Sequence, residues 1–495
     1  MLASLCLIGL TQQPVQANPD QKQVYQNATF TVLYRTADNP GDCPPPDAEV
    51  GELQAWPAEA QAAMNHVVDI LDNLINSDVP IAIDACYQTD NTPGSLAFAS
   101  EIESFTQDDV ASLPVPGVAY AVALANAIDG NDLNGERSEI LTSVNSNIEW
   151  DYCTVNCVVD ANSFDFVSTM VHEFIHGLGF SMSFSVDNAD NPTIGSYQPS
   201  IADESVYTYD GENTVQKLTD LPNNSAELLD AFLGGSGTVV LAGNNTVAAN
   251  DDMPAFVYST TSWESGSSMS HFDDNHPSNL GRIMNAATDS GPGSRTVDAL
   301  TLMLLKDIGL SVDEAVDRSD GTTYPTASHF AGTDMVNHMR FGPTVSTESS
   351  NAPNDASDDG IARVGDWTVG ANGGTVAVDI QASTAGARGC FNGWADWNQD
   401  NDFADDGEQI FNMVSVSQGN NNHSFDIPAE IGDEDTIRYR FRLHQDWDND
   451  GGCDDQVGVS STITLMNGEV EDYDFSLITT PVEIDQFVYL PIIRK

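Results

Sequence analysis

The stretch Val171-His172-Glu173-Phe174-Ile175-His176-Gly177-Leu178-Gly179-Phe180 places the pattern H-E-x-x-H in an apolar setting. If it is helical, His172 and His176 share a face, because residues four apart are neighbours on an α-helix. Two imidazoles at this spacing suit a zinc ion. Glu173 follows the first histidine, where its carboxylate reaches a water on the metal and can act as general base. The sequence therefore predicts a zinc centre here.

The flanking residues favour a helix. Asn162 or Ser163 can cap it, and Asp165 suits the positive first turn. Gly177 and Gly179 offer positions where the helix can stop. The apolar side is supplied by Phe166, Met170, Val171, Phe174, Ile175 and Leu178. A buried pair of hydrogen-bonded structural histidines is the alternative, and the context favours the metal.

The chain is strongly acidic. Its 495 residues contain 75 Asp and Glu against 16 Lys and Arg, which gives a net charge of −59. Such a charge repels nucleic acid and anionic membranes, so neither is expected as a partner. A saline environment and aspartate-rich calcium loops both favour this composition. The length allows two to four domains.

The first seventeen residues have the character of a secretory signal. Residues 2–10 form a short apolar core, and Val15-Gln16-Ala17 resembles a small-residue cleavage site. No other segment is long and apolar enough to span a bilayer. We therefore expect a signal peptide at 1–17 and a secreted protein, extracellular or attached to the cell surface.

Removal of the signal would leave six cysteines, an even number that predicts disulfides in an exported chain. Four lie in the first half of the chain and two in the second, so pairing within each half joins Cys390 to Cys453. The first four allow three connectivities, and the sequence does not choose among them. They are Cys43, Cys86, Cys153 and Cys157.

The first half alternates strand and helix patterns. Strands are predicted at residues 28–35, 79–84, 118–124 and 139–145. A long helix is predicted after Pro57, where apolar residues recur at helical spacing. This order predicts an α+β layer with the H-E-x-x-H helix packed behind a sheet. Residues 181–262 read as an insertion that contains a helix near 226–232.

A catalytic zinc usually has three protein ligands. The residue six positions after His176 is Met182, so the closely spaced third histidine of one metalloprotease pattern is absent. We favour His271, which lies in a polar loop ahead of Ile283-Met284-Asn285 and a predicted helix at 296–308. Glu204 and His276 remain alternatives.

Taken together, H-E-F-I-H-G-L-G-F, S-M-S-H-F-D, I-M-N and the helix T-V-D-A-L-T-L-M-L-L-K-D-I-G-L resemble leishmanolysin-type metzincins and their secreted bacterial relatives. Residues 199–204 also resemble them. The resemblance spans about residues 25–310. It implies a zincin fold and zinc endopeptidase activity on protein or peptide substrates. It further implies His172, His176 and His271 as ligands, Glu173 as general base and Met284 as the methionine of a turn beneath the metal.

Beyond residue 312 the sequence consists of short segments of alternating apolar and polar residues, separated by segments rich in turn-forming residues. This pattern predicts a β-sandwich. Strands are expected at 375–380, 409–416, 436–443 and 460–466. Two loops carry alternating oxygen side chains of the kind that bind calcium. The candidate ligands are Asp396, Asn398, Asp400 and Asp402 in the first loop, and Asp446, Asp448 and Asp450 in the second. The first loop is not an EF-hand, because its sixth position is Asn401 and Glu408 falls at the thirteenth.

Gly468-Glu469-Val470-Glu471-Asp472-Tyr473, preceded by W-A-D-W-N-Q-D-N-D-F, is similar to the GEVED domain of secreted bacterial proteins. The resemblance covers about residues 319–477 and implies an accessory β-domain. The expected organisation is a metallopeptidase domain at 18–312, a GEVED-like domain at 313–480 and a tail at 481–495.

The sequence thus predicts a secreted, monomeric zinc endopeptidase with zinc and calcium as cofactors. One alternative is a non-catalytic adhesion or matrix-binding protein with a degenerate zincin domain. Another is a zinc hydrolase that acts on a non-peptide amide. The presence of Glu173 argues against degeneracy, because zinc could be held without it.

Overall fold

The computed structural model describes residues 23–47, 49–154, 159–187, 191–195, 198–235, 237–250, 253–274, 276, 282–295, 297–313, 316–319, 324, 327–330, 339–342, 360–370, 373–382, 388–432, 435–445, 453, 459, 461, 464–466 and 468–478. The predicted signal peptide and C-terminal tail lie outside the described residues. So do Cys157 and the second calcium loop with Asp446, Asp448 and Asp450.

The described chain is mostly β-structure with few helices. Its helices are α1 (Ala58–Asp72), α2 (Val122–Asp129), α3 (Phe166–Gly177), α4 (Ala226–Phe232), α5 (Asn244–Ala249) and α6 (Ala299–Asp307). In the residues that can be described, none of these helices is both long enough and apolar enough to cross a membrane.

The strands fall into two series. The first is β1 (Gln23–Gln26), β2 (Phe30–Tyr34), β3 (Val50–Leu53), β4 (Ile75–Asn76), β5 (Ile81–Asp90), β6 (Ala97–Glu101), β7 (Ser104–Phe105), β8 (Tyr120–Ala121), β9 (Ile140–Asn145), β10 (Trp150–Asp151), β11 (Phe164–Asp165), β12 (Phe184–Val186), β13 (Pro192–Ile194), β14 (Val206–Tyr209), β15 (Thr214–Lys217), β16 (Val239–Leu241), β17 (Ala255–Phe256) and β18 (Ser311–Val312). The second is β19 (Val316–Arg318), β20 (Ser328–Phe330), β21 (Met339–Phe341), β22 (Ile361–Arg363), β23 (Gly374–Ala382), β24 (Arg388–Ala395), β25 (Gln409–Ser417), β26 (Gly419–Phe425), β27 (Thr436–Gln445), β28 (Thr464–Met466) and β29 (Gly468–Ser476).

A sheet in the order β1-β2-β5-β9-β6 organises the first half, and β3 also pairs with β5. Strands β2, β5 and β9 are parallel, whereas β6 runs antiparallel to β9 at the end of the sheet. The central strand β5 is buried along most of its length, as expected for a strand covered on both faces. Helix α1 buries its apolar stripe and packs against α3. The motif helix therefore lies beside the sheet, next to the antiparallel strand.

The predicted strand at 118–124 is wrong over most of its length. Only Tyr120 and Ala121 form a strand, and α2 begins at Val122. Its first five residues are all buried, so no polar face reveals a helical period. A short apolar run of this kind does not distinguish a strand from a buried helix. Gly130, with φ of 75°, then provides the left-handed C-cap.

The segment predicted as an insertion contains a small sheet of its own, in the order β15-β14-β16-β17. Helix α4 covers residues 226–232 as predicted, and the Ser225 side chain caps it by accepting the Leu228 N–H. The helix predicted at 296–308 begins only at Ala299, because Asp298 is its cap.

The C-terminal region is sandwich-like. One sheet has the order β25-β24-β27-β29, and the other joins β21, β22 and β26 to β23. Side chains from both sheets form one apolar core. Its members include Val376, Val378 and Ile380 from β23, Phe391 from β24, and Tyr439 and Phe441 from β27.

The acidic residues of the GEVED motif point into the domain rather than toward solvent. Glu469, Glu471 and Asp472 are all buried. The carboxylate of Asp472 forms two hydrogen bonds, of 2.8 and 2.9 Å, with the buried guanidinium of Arg440 on β27. Glu471 accepts the Gly360 N–H at 3.0 Å. The motif therefore stabilises the fold of the domain.

The predicted disulfide between Cys390 and Cys453 is confirmed, with a Cα–Cα distance of 5.6 Å. Among the cysteines of the first half, Cys43 pairs with Cys86. Cys153 is also disulfide-bonded.

Replacing Asp472 with Asn should destabilise the C-terminal sandwich, because it removes the charged carboxylate that forms two hydrogen bonds with the buried guanidinium of Arg440. We expect the free energy of opening of β27 to fall by about 3 kcal/mol or more. Amide hydrogen exchange of β27 in the full chain measures it. Asp474→Asn is the control, since that side chain is 54% exposed and its pair with Arg438 contributes about 0–1 kcal/mol. Equal losses in the two variants would contradict the structural role of the buried pair.

Candidate functional site

Helix α3 is capped by Asp165, not by the predicted Asn162 or Ser163. One carboxylate oxygen of Asp165 accepts the N–H groups of Val167 and Ser168 at 3.1 and 3.3 Å. An acidic cap also interacts favourably with the positive end of the helix dipole. The cap fixes where the helix begins and hence the face on which His172 and His176 lie.

The same carboxylate binds a distant part of the chain. Arg295 places Nε 2.7 Å and Nη2 2.8 Å from the two oxygens of Asp165, and both side chains are buried. Gly293 donates its N–H to Asp165 at 3.2 Å. The N-terminus of α3 is thereby fixed to the segment that precedes α6.

His172, His176 and His271 converge on one point. Their Nε2 atoms are separated by 3.1 Å (His172 to His271), 3.2 Å (His172 to His176) and 3.2 Å (His176 to His271). In the described part of the chain, these three form the one cluster of at least three His, Cys, Asp or Glu residues whose ligand atoms lie within 4.8 Å of one another. Sequence spacing brought two of them together, and the fold added the third.

Each imidazole is oriented by a backbone carbonyl. The Nδ1 atom lies 2.7 Å from the oxygen of Ile283 for His172, 2.7 Å from that of Phe180 for His176, and 2.9 Å from that of Ser267 for His271. A carbonyl oxygen only accepts, so each Nδ1 carries the proton and each Nε2 presents a lone pair.

The charged forms of these imidazoles are disfavoured. Burial lowers the pKa of His172 to about 3, and the neighbouring His176 adds to that effect. Burial also lowers the pKa values of His176 and His271. The three rings are therefore neutral, as metal ligands must be.

This donor set fits zinc. Three acceptor nitrogens this close repel one another unless a cation or a donor lies between them. Zinc–imidazole bonds of about 2.0–2.1 Å at tetrahedral angles place two such nitrogens about 3.3–3.4 Å apart, close to the spacing here. Three neutral imidazoles with second nitrogens bound to backbone carbonyls are the arrangement expected around a catalytic zinc.

Glu173 lies on the same helix but faces the antiparallel strand β6. Its Oε2 accepts the Ala99 N–H at 2.9 Å. Burial raises the pKa of Glu173 to about 8, although this hydrogen bond opposes the shift. The carboxylate is thus held beside the histidines. Burial favours its protonated form, whereas a cation held by the histidines would favour the ionised form that a general base needs.

A cleft of about 680 Å³ opens at the site. Glu173, His172 and His271 contribute to its wall. Residues 92–97, which lead into and begin β6, form one side, and residues 285–289 form another. A molecule in this cleft therefore has direct access to both the imidazoles and the carboxylate.

The loop that carries His271 is bound to the predicted methionine turn. Phe272 donates its N–H to the carbonyl of Met284 at 2.8 Å, and Met284 is fully buried. Asp298, the cap of α6, accepts the Ile283 N–H and pairs with Arg282, each at 3.2 Å. This connection holds the Ile283 carbonyl in position to accept the hydrogen bond from His172 Nδ1.

The alternative third ligands lie elsewhere. Glu204 pairs with Lys217, with 2.6 Å between Oε2 and Nζ. The ring of His276 stacks on Phe256 at a centroid distance of 3.7 Å. Neither residue belongs to the histidine cluster among the residues described.

The first predicted calcium loop is folded around its own polar groups. Asp396 is buried, and its carboxylate accepts backbone N–H groups of the loop. The Asn398 amide donates to Asp400 at 3.1 Å, and Asp402 accepts the Ala404 N–H at 2.8 Å. Calcium binding at this loop stays a prediction.

The sequence analysis missed the residues that support the histidines. Asp298 precedes an apolar run in the way a helix cap does, so this signal was present in the sequence. Arg295 and the three carbonyls carried no comparable signal, because their role depends on contacts between segments far apart in the chain.

Comparison with known families matches two parts of the chain. Residues 391–476 match the GEVED domain, which confirms the predicted identity of the C-terminal domain over a shorter stretch than expected. Residues 134–228, which include α3, match a family described as SPBPB7E8-like. No curated protein matches the chain. The resemblance to leishmanolysin-type metzincins stays a prediction.

Replacing Arg295 with Gln should destabilise the first half of the chain, since it leaves the Asp165 carboxylate buried without its cation. We expect a loss of about 3–5 kcal/mol in the free energy of unfolding. Urea unfolding followed by helical circular dichroism reports on this half, because the six described helices end at Asp307. Arg137→Gln, at an exposed pair with Asp42 and Glu103, should cost less than about 1 kcal/mol. A similar cost for both variants would contradict the role of the buried Asp165–Arg295 pair in fixing α3.

Proposed function

We propose that this protein is a zinc-dependent endopeptidase with a metzincin-like catalytic domain, in which His172, His176 and His271 hold the metal. The observation that carries the proposal is the convergence of three neutral imidazoles, each Nε2 within 3.2 Å of the other two, beside Glu173 in an open cleft. Met284 lies in the turn that supports this centre.

Zinc held by these imidazoles would lower the pKa of water and polarise a substrate carbonyl. Glu173 takes the proton from the water as its oxygen attacks the carbonyl carbon. It then gives that proton to the leaving nitrogen as the C–N bond breaks. The hydrogen bond from Ala99 keeps the carboxylate in place during both transfers.

The proposed substrate is an extended polypeptide. Strand β6 ends the described sheet, and no other described strand pairs with its outer edge. Residues that lead into this strand form a wall of the cleft beside Glu173. A peptide that pairs with this edge would place a carbonyl group near the histidines.

The proposed setting is extracellular. The disulfides Cys43–Cys86 and Cys390–Cys453 support an oxidising compartment, as expected after export. We propose that the protein acts as a monomer on protein or peptide substrates.

Variants of the site test this proposal. Wild-type protein should contain one zinc and hydrolyse casein. Glu173→Gln should keep the zinc, because Glu173 is not a ligand, but lose activity by at least about 100-fold, the usual contribution of a general base. His271→Ala should lose both. Zinc content is measured by mass spectrometry and hydrolysis by release of labelled peptide.

His276→Ala and Glu204→Gln are the matched controls, since both side chains are engaged elsewhere, and both variants should retain zinc. Zinc loss in either control but not in His271→Ala would overturn the ligand set. Bound zinc without hydrolysis of casein or of any member of a mixed peptide library by the wild type would remove the peptidase proposal.

A further inference from the structure

The loop between β24 and β25 folds around a buried carboxylate. Asp396 accepts the N–H of Gln399 at 2.6 Å and that of Asn401 at 3.1 Å, and the hydroxyl of Tyr324 donates to it at 2.6 Å. Asn401 has φ of 74°, the left-handed conformation for which calcium loops of the EF-hand type use glycine. Asn tolerates this conformation better than most residues. Asn401, which stands where an EF-hand loop has glycine, therefore still adopts the left-handed backbone conformation.

Glu408 lies at the end of the loop and is only 2% exposed. One oxygen, Oε2, accepts the Asp405 N–H at 3.1 Å, whereas Oε1 is buried and has no hydrogen-bond partner among the described atoms. A buried acceptor without a partner costs about 1–3 kcal/mol, and more if it is charged. This oxygen therefore lacks a donor or a cation.

The other side chains of the loop surround the amide of Asn398. Its Nδ2 lies 3.1 Å from a carboxylate oxygen of Asp400 and also donates to Asp405. The amide thus stands between two carboxylates. Rotation of this amide by half a turn would give up the hydrogen bond that its oxygen accepts from the Asp400 N–H at 3.1 Å. It would present that oxygen instead, so that all three side chains could face a cation.

We infer that the loop from Asp396 to Glu408 binds a calcium ion, with Glu408 Oε1, Asp400, Asp405 and the Asn398 oxygen as its side-chain ligands. Calcium is favoured because every candidate ligand atom is an oxygen. The carboxylates of Asp396, Asp400 and Asp405 all lie near that of Glu408. Asp402 is left out, since the Asn398 amide donates to Asp400 and Asp405 and not to Asp402 among the described contacts. Asp396 shapes the loop from within.

The site closes on binding. No three carboxylates of the described loop yet lie within 4.8 Å of one another. Calcium would draw the carboxylates together in the place that the Asn398 amide nitrogen now occupies. It would also be the missing partner of Glu408 Oε1. Because the ion would bind the folded loop and not the unfolded chain, it should stabilise the C-terminal domain. This inference does not depend on the proposed peptidase activity.

The test uses the full chain, freed of divalent cations on a chelating resin and then reloaded with zinc. Thermal unfolding is followed while calcium chloride is added, with magnesium chloride as the comparison. Wild type should be stabilised by calcium and much less by magnesium. Glu408→Gln and Asp400→Asn should bind calcium at least about tenfold more weakly, because ligand charge sets calcium affinity. Asp406→Asn removes a neighbouring exposed charge and should respond as the wild type does.

One readout separates a calcium ligand from a purely structural residue. Without calcium, Glu408→Gln should unfold at a temperature no lower than the wild type, because Gln removes a buried charge. If Glu408→Gln fails to fold, the calcium response of Asp400→Asn provides the test, because the Asp400 side chain is exposed and its replacement should not disturb folding. Terbium emission sensitised by Trp397 gives a second measure of binding. The inference is overturned if calcium does not stabilise the wild type, if magnesium does so equally, or if both ligand variants respond like Asp406→Asn.

Discussion

The arrangement of the candidate site depends on the buried pair of Asp165 and Arg295. Asp165 caps α3 and, through the same carboxylate, binds Arg295 and the Gly293 backbone. Helix α3 and the segment before α6 are thereby fixed relative to each other. A second pair, Asp298 with Arg282, fixes the turn around Met284. His271, the proposed third ligand, lies on a loop far along the chain, so its position near α3 depends on such contacts between distant segments.

Backbone carbonyls then set the chemistry of the imidazoles. The carbonyls of Ile283, Phe180 and Ser267 each take one Nδ1 proton, so all three Nε2 lone pairs face inward. Gly179, with φ of 116°, turns the chain so that the Phe180 carbonyl reaches back to His176. Three neutral acceptors held together store electrostatic repulsion, and a divalent cation relieves it. This arrangement supports the proposed metal site.

Three of the rare basic residues occupy buried structural positions. Against 75 acidic side chains the protein has 16 basic ones. Arg282, Arg295 and Arg440 are each buried and paired with an aspartate. Because an unpaired buried charge is strongly unfavourable, each pair restricts the alternative arrangements of its segment. The excess of acidic residues gives the formal net charge of −59.

The sequence by itself determined the features that depend on local spacing. The face shared by His172 and His176 follows from the helical repeat, α1 from its apolar stripe, and the Cys390–Cys453 disulfide from simple pairing within each half. Tertiary structure decided the rest. It selected His271 over Glu204 and His276 as the neighbour of the motif helix, turned residues 122–124 into a helix, and placed Glu408 inside its loop. The physical reason is that these outcomes depend on burial and on hydrogen bonds between residues distant in the chain, which no local pattern encodes.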